Sequence, residues 1–289
     1  MKRLDRSEII FKILAYVLLT AFALCCLYPF IFILSNSISD ADAVNNTEVW
    51  LYPINPNLNA YLYAFQDKGF WLSYCNSLFV TMYGTLVSML VGICGAYALS
   101  KSRLIFGRGF NFMLVFTMWF NAGLIPTYQN FQNFGVTNIY MFIVALGFNA
   151  FNIILLRNYF SSVPTEIEEA ATIDGATEFQ ILLRVYVPMS KSSIITVAMF
   201  YAVSRWNGYL WAQMLLKPTD YPLTVYIRIT VQDVIERLQE KPDALVSMGL
   251  SIYALRYAFI VCSIIPIVII YPKLQKYFAA GVNAGGVKE

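Results

Sequence analysis

The chain has 289 residues, 58% hydrophobic and 13% charged, with a formal net charge of +3. A soluble globular domain carries about 25% charged residues, so this composition points to an integral membrane protein of the helical type, and the net charge is too small to suggest a nucleic-acid binder. Histidine is absent, which removes His-based acid–base catalysis, His metal ligands and His proton relays together.

A membrane-crossing helix needs about 20 mostly apolar residues. The runs here are continuous and longer than the ~10-residue alternating strands of a membrane barrel. The first expected span is 13–35. Its basic flank (Lys2, Arg3, Arg6, Lys12) imitates a signal peptide, but the apolar run exceeds the roughly 7–15 residues of an h-region, so a retained helix is expected. A segment with Trp50, Tyr52, Tyr61 and Tyr63 follows, then a second span over 72–100. No residue from Gly109 to Leu156 is charged. That stretch suits a hairpin of two spans, 110–128 and 138–156, broken at the polar, turn-forming residues between Pro126 and Asn138. The fifth span is expected over 185–204 and the sixth over 257–271, with Arg205 and Arg256 at span ends. Between these two lies a long segment in which Val231, Val234, Ile235 and Leu238 fall at helical spacing and suggest an amphipathic helix ended by Lys241-Pro242-Asp243. The whole chain reads as one transmembrane domain. The cysteines, Cys25, Cys26, Cys75, Cys94 and Cys262, are odd in number and lie in apolar runs; small buried hydrophobes are expected.

Loop charge sets the orientation. One side collects Lys2, Arg3, Arg6, Lys12, Lys101, Arg103, Arg108, Arg157, Arg184, Lys191, Lys273, Lys276 and Lys288. The other holds Lys68, Lys217, Arg228, Arg237 and Lys241. The first side, with both termini, is expected to be cytoplasmic.

On that side, between the fourth and fifth spans, the chain reads TEIEEAATIDGATEFQILLRVYVP from Thr165 to Pro188. Thr165 fits an N-cap with Glu168 completing a capping box. Glu166, Glu168 and Glu169 sit where the helix dipole favours negative charge. Ala170 and Ala171 leave a bare helix surface open to close approach. Asp174-Gly175 supplies a turn. A second helix is expected over 176–185, with Phe179, Leu182 and Leu183 as its apolar face, and Pro188 bends the chain into the next span. The segment is either a solvated connector or an element shaped for a groove on a partner.

Glu169-Ala170-Ala171, three residues, Gly175, nine residues, then Val185-Tyr186-Val187-Pro188 resembles the EAA loop of binding-protein-dependent ABC importer permeases. The family pattern has Ile and Leu where Val185 and Val187 stand here. The lead-in from Asn152 to Pro164, Asn76-Ser77-Leu78, Trp206-Asn207 and the tail from Leu274 to Glu289 are similar to the carbohydrate, maltose-permease-like branch, so the resemblance covers essentially the whole chain.

The resemblance implies an all-α membrane protein with a six-helix, type I ABC importer permease core in a prokaryotic cytoplasmic membrane. It implies a non-catalytic subunit passing an oligosaccharide inward. The implied partners are a second permease subunit in a heterodimer, two ATPase subunits carrying ATP and Mg, an extracytoplasmic solute-binding protein, the oligosaccharide and the lipid bilayer, with no cofactor on this chain. By position, Glu169, Ala170, Ala171, Asp174, Gly175, Phe179 and Pro188 would form the ATPase-docking loop.

The residues themselves agree with energy supplied from outside. The span centres lack the Asp or Glu that secondary carriers use, and there is no GxxxxGK[ST] loop. A permease for a non-sugar solute and, less favoured, a secondary carrier are the alternatives. For a sugar path, amides and aromatics are the candidates: Asn76, Trp119, Asn121, Asn149, Asn152, Trp206, Asn207 and Trp211. Each is open to a second reading, as an interhelical hydrogen bond or an interfacial aromatic.

Overall fold

A computed structural model describes residues 6–240 and 251–286. The proposed stop at Lys241-Pro242-Asp243 and the flanking Lys2, Arg3 and Lys288 lie outside the described residues. Every regular element among those described is helical: α1 (Arg6–Ser37), α2 (Ala41–Asn45), α3 (Asn59–Gln66), α4 (Lys68–Ser100), α5 (Gly107–Trp119), α6 (Leu124–Asn133), α7 (Ile139–Ala145), α8 (Ala150–Phe160), α9 (Thr165–Ile173), α10 (Glu178–Ile181), a π-turn (Leu182–Tyr186), α11 (Val187–Met189), α12 (Lys191–Asn207), α13 (Leu210–Leu215), α14 (Leu223–Glu240) and α15 (Ile252–Gly286), with a short 3-10 turn at Pro218–Asp220.

Among the described residues three helices are long and apolar enough to cross a membrane by themselves: Ser7–Ser37, Lys68–Ser100 and Ile252–Pro272. Three further crossings exist only if bent pairs count as one each. These are α5 with α6, bent by 120°, α7 with α8, bent by 53°, and Glu178–Met189 with α12, bent by 87°. The spans expected over 110–128, 138–156 and 185–204 fall on these three bent pairs. The first breaks after Trp119, where Asn121 Oδ1 accepts from Gly123 N at 2.9 Å and Gly123 adopts φ +91°. The second breaks at Leu146–Asn149, where Asn149 caps α8. Before the third, Pro188 cannot donate to a helical ladder and the turn ahead of it widens to π.

The chain divides into two compact units. The first, Met1–Phe70 with Ile227–Ile265, packs Ala43, Val44, Val49 and Ala60 against Ala254 and Ala258. The segment after α1 is folded there, not loose. Ser35 Oγ donates to Leu51 O at 2.8 Å, and Asn36 Nδ2 donates to Phe32 O at 2.8 Å and Val49 O at 3.2 Å. The polar run Ser35–Ser39 thereby satisfies buried backbone that would otherwise be costly.

The second unit, Trp71–Tyr226 with Pro266–Glu289, carries the larger core. Ala96, Ile153, Leu156, Phe160, Ile181, Leu182, Tyr186 and Val197 pack together from α4, α8, the α10–π segment and α12. Cys262 is buried, but Cys25, Cys26, Cys75 and Cys94 are exposed, correcting the expectation that all five are interior. They sit on helix faces that this chain alone leaves uncovered.

Candidate functional site

Two places in the second unit gather the candidate residues. The first is the loop of α9 and α10. Its N-terminus differs from the expected capping box: Pro164 holds the N-cap position without a side-chain cap, and Thr165 is already inside α9. The capping box lies one helix later, with Gln180 N donating to Thr177 Oγ1 at 3.4 Å and Thr177 N to Gln180 Oε1 at 2.8 Å. Glu168 is thereby released for another task.

The C-terminus of α9 closes on Gly175 at φ +81°. Gly175 N donates to Thr172 O and Ala176 N to Ala171 O, each at 3.0 Å. This is the Schellman pattern, with glycine in the left-handed position that costs other residues strain. Asp174 is the C-cap residue. Glu169 and Ala170 are exposed, whereas Ala171 turns toward the core. Ile173 is 86% and Phe179 66% exposed. The expected apolar face of the second helix is therefore corrected: Leu182 is buried, but Phe179 and Leu183 face outward. Pro188 is exposed at the bend.

Beneath this surface lies a clamp that the sequence reading missed. Lys101, just after α4, places Nζ 2.6 Å from Glu168 Oε2, and Tyr186 OH donates to the same oxygen at 2.5 Å. Lys101 Nζ also donates to Tyr186 OH at 2.9 Å and lies 4.2 and 4.0 Å from the ring centroids of Tyr97 and Tyr186, within cation–π reach. Arg103 pairs with Glu178, whose Oε2 accepts from Tyr97 OH at 2.7 Å. Burial alone would raise the Glu168 carboxyl; the hydrogen bonds from Lys101 and Tyr186 and the charges of Lys101 and Arg103 outweigh it and hold the group below its ordinary value. The Arg103–Glu178 pair is more than half exposed on both sides and contributes little by comparison.

The second place is a cavity of about 700 Å³ between α7, α8, α12 and α13. It brings together Asn149, Asn152, Asn207 and Trp211 from the expected sugar path, with Tyr201, Ser204 and Arg205. Asn149 also caps α8 by accepting from Asn152 N at 3.0 Å. Trp211 stands edge-on to Phe131. The other candidates go elsewhere. Asn76 Nδ2 donates to Thr219 O and Tyr221 O, tying α4 to the turn before α14. Trp119 ends α5 exposed, and Asn121 makes the turn described above. Trp206 is buried edge-on to Tyr74.

The family model for the binding-protein-dependent transport system inner membrane component matches residues 58–284. The chain is similar to one from the crystal structure of a bacterial ABC transporter involved in the import of the acidic polysaccharide alginate, with a TM-score of 0.89, 44% identity, and coverage of 96% of this chain and 100% of that one. It is 36% identical to the polygalacturonan/rhamnogalacturonan transport system permease protein YtcP of Bacillus subtilis (strain 168), over 96% of this chain and 98% of that one. It is 32% identical to protein LplC of the same organism, over 90% and 88%. The EAA spacing, the all-helical fold and the family match agree: the chain belongs to the binding-protein-dependent transport system inner membrane components, the permease subunits of ABC importers.

Proposed function

We propose that this chain is the non-catalytic transmembrane subunit of an ATP-driven importer that receives an oligosaccharide from an extracytoplasmic binding protein and passes it into the cytoplasm. In this reading the chain crosses a prokaryotic cytoplasmic membrane six times with both termini inside. It pairs with a different permease subunit, and α9 docks on one of two ATPase subunits. ATP and Mg are held by the ATPases; this chain supplies no cofactor site.

The observation that carries the reading is the α9 surface. One side is fastened to the body through Glu168, while Glu169, Ala170 and Ile173 before the Gly175 turn and Phe179 after it are exposed. An exposed helix that is both apolar and acidic fits a groove with an apolar floor and a basic rim. The sugar assignment rests on the amide- and aromatic-lined cavity and on the similar transporters, one of which is involved in importing an acidic polysaccharide.

In this account Glu169→Arg lowers both ATPase co-purification and oligosaccharide uptake by about tenfold, the equivalent of ~1.4 kcal/mol of docking energy. Among the described residues Glu169 has no hydrogen bond or ion pair to lose, so membrane abundance stays normal. Unchanged ATPase capture and uptake would sink the docking assignment. The cargo is checked on the transporter's solute-binding protein: thermal-shift screening should find oligosaccharides, and a response to peptides alone overturns the sugar.

A further inference from the structure

Arg205 occupies the last turn of α12 and is 8% exposed. Its Nη2 donates to Ser88 Oγ at 3.1 Å, to Ile143 O at 3.2 Å and to Leu146 O at 2.5 Å. The two carbonyls belong to the C-terminal end of α7, where a cation suits the helix dipole. Nη1 is buried with no hydrogen-bond partner among the described residues. The guanidinium lies against the bare face of Gly84, where an added Cβ would be 3.1 Å from Nε and 3.2 Å from Cζ.

Stapling α7 to α12 needs hydrogen-bond donors but not a net charge. A buried charge is costly unless an opposite charge compensates it. The described ion pairs all sit at Lys101 and Arg103, on the α9 clamp, and none reaches Arg205. Among the described residues Arg205 is also the one charged side chain lining the 700 Å³ cavity; the rest of the lining holds amides, hydroxyls, aromatic rings and the aliphatic Leu146, Leu210 and Ala212, with no carboxylate. An ionisable group in a membrane helix beside a cavity points to a functional site, and a cation there favours a ligand of opposite charge. The cavity volume falls within the roughly 300–1,000 Å³ usual for ligand sites.

We propose that Arg205 is the specificity-determining residue of the sugar path, attracting the carboxylate of a uronate-type oligosaccharide as it enters the cavity. The proposal rests on the cavity being that path. Ring faces meet Trp211, hydroxyls meet Asn152 and Asn207, and the carboxylate draws on a positive charge that the α7 carbonyls hold but no carboxylate among the described residues pairs with. A neutral sugar would leave that charge buried and unanswered.

The test uses the complete reconstituted transporter with its ATPases and binding protein. It compares uptake of an unsaturation-free oligouronate with that of its methyl ester, the same sugar with its charge masked. Any selectivity of the binding protein is common to all variants and cancels when a variant's acid-to-ester ratio is compared with that of the wild type. Arg205→Gln is expected to lower that ratio by about tenfold, while Arg205→Lys keeps most of it. Asn149→Asp is the second variant. Aspartate preserves the α8 cap but places a carboxylate in the cavity, so it too should depress acid uptake and spare the ester. If Arg205→Gln loses acid and ester equally while Asn149→Asp leaves the ratio unchanged, Arg205 is only a staple and the proposal fails. A wild-type transporter indifferent to esterification overturns it as well. The underlying path is checked separately with Trp211→Ala: if uptake of both sugars is unaffected, the cavity is not the route. A fall in both at constant ratio leaves the route standing.

Discussion

Valine in place of Gly175 is expected to cut oligosaccharide uptake by about a hundredfold while leaving the protein in the membrane. Gly175 sits at φ +81°, and the two bonds that close α9, Gly175 N to Thr172 O and Ala176 N to Ala171 O, depend on that angle. A Cβ in this region costs roughly 1–2 kcal/mol, and a β-branched side chain more. Apart from Gly175 and its two chain neighbours, no atom of the described residues lies within 4 Å of the Cβ position, so the penalty is one of backbone geometry and not of an internal clash. The least costly relief is to unwind the last turn of α9. That changes the angle between α9 and α10 and with it the surface proposed to meet the ATPase. Asparagine tolerates the left-handed region and should keep uptake within about threefold of wild type, with alanine between the two. Uptake and ATPase co-purification are measured across the series. Valine behaving like asparagine would show that the angle of the turn is irrelevant to coupling.

The other large effect belongs to Glu168. Glu168→Lys would set a third cation beside Lys101 and Arg103, where like charges 4 Å apart repel by roughly 4 kcal/mol at an effective dielectric of 20. The helix should leave its seat, abolishing uptake and lowering the melting temperature of the solubilised transporter. The exchange Lys101→Glu with Glu168→Lys should recover much of the loss, since the ion pair is re-formed with its sign reversed. Single truncations, Lys101→Met and Glu168→Gln, should couple by about 2 kcal/mol in a double-mutant cycle, because the paired side chains are only 9% and 16% exposed. Additive losses would mean that the pair does not seat α9.

The pH dependence follows from the same group. Glu168 titrates below its ordinary value, so the unfolded chain binds the proton more readily than the folded one. The stabilisation is present in full above the ordinary carboxylate value and is lost as pH falls through the depressed folded value. Removing Lys101 deletes the main lowering interactions and leaves burial to act the other way. The acid loss of stability should therefore begin at higher pH in Lys101→Met than in wild type, as read from melting temperature against pH.

Local chemistry was the legible part. Asp174-Gly175 announces its turn in two residues, and the figure Glu169-Ala170-Ala171 with Gly175 and Pro188 announces the loop. The apolar runs place α1, α4 and α15 without help. The clamp was not legible, because Glu168 finds Arg103 at a sequence separation of 65 and no short-range pattern distinguishes it from a capping residue. The breaks at Trp119, Leu146 and Ser190 were hidden for a different reason: hydropathy counts apolar residues but is blind to direction. Arg205 had a signal that went unused. A lone cation next to Trp206 in an apolar helix reads as a span boundary when only loop charge is counted, and as a buried charge once the amides at Asn149 and Asn152 are placed beside it.

One helix touches both sites. α4 runs unbroken for 33 residues, with Gly84 and Ser88 against Arg205 and Tyr97 on the carboxylate of Glu178. Ser88 and Tyr97 are about 13 Å apart along an axis that rises ~1.5 Å per residue. The neighbouring bent helices have joints at which a displacement can dissipate; α4 has none. It is the stiff member of a compliant frame. A tilt imposed where the loop is gripped must reappear at Gly84, and the backbone there has no side chain to cushion the guanidinium from it.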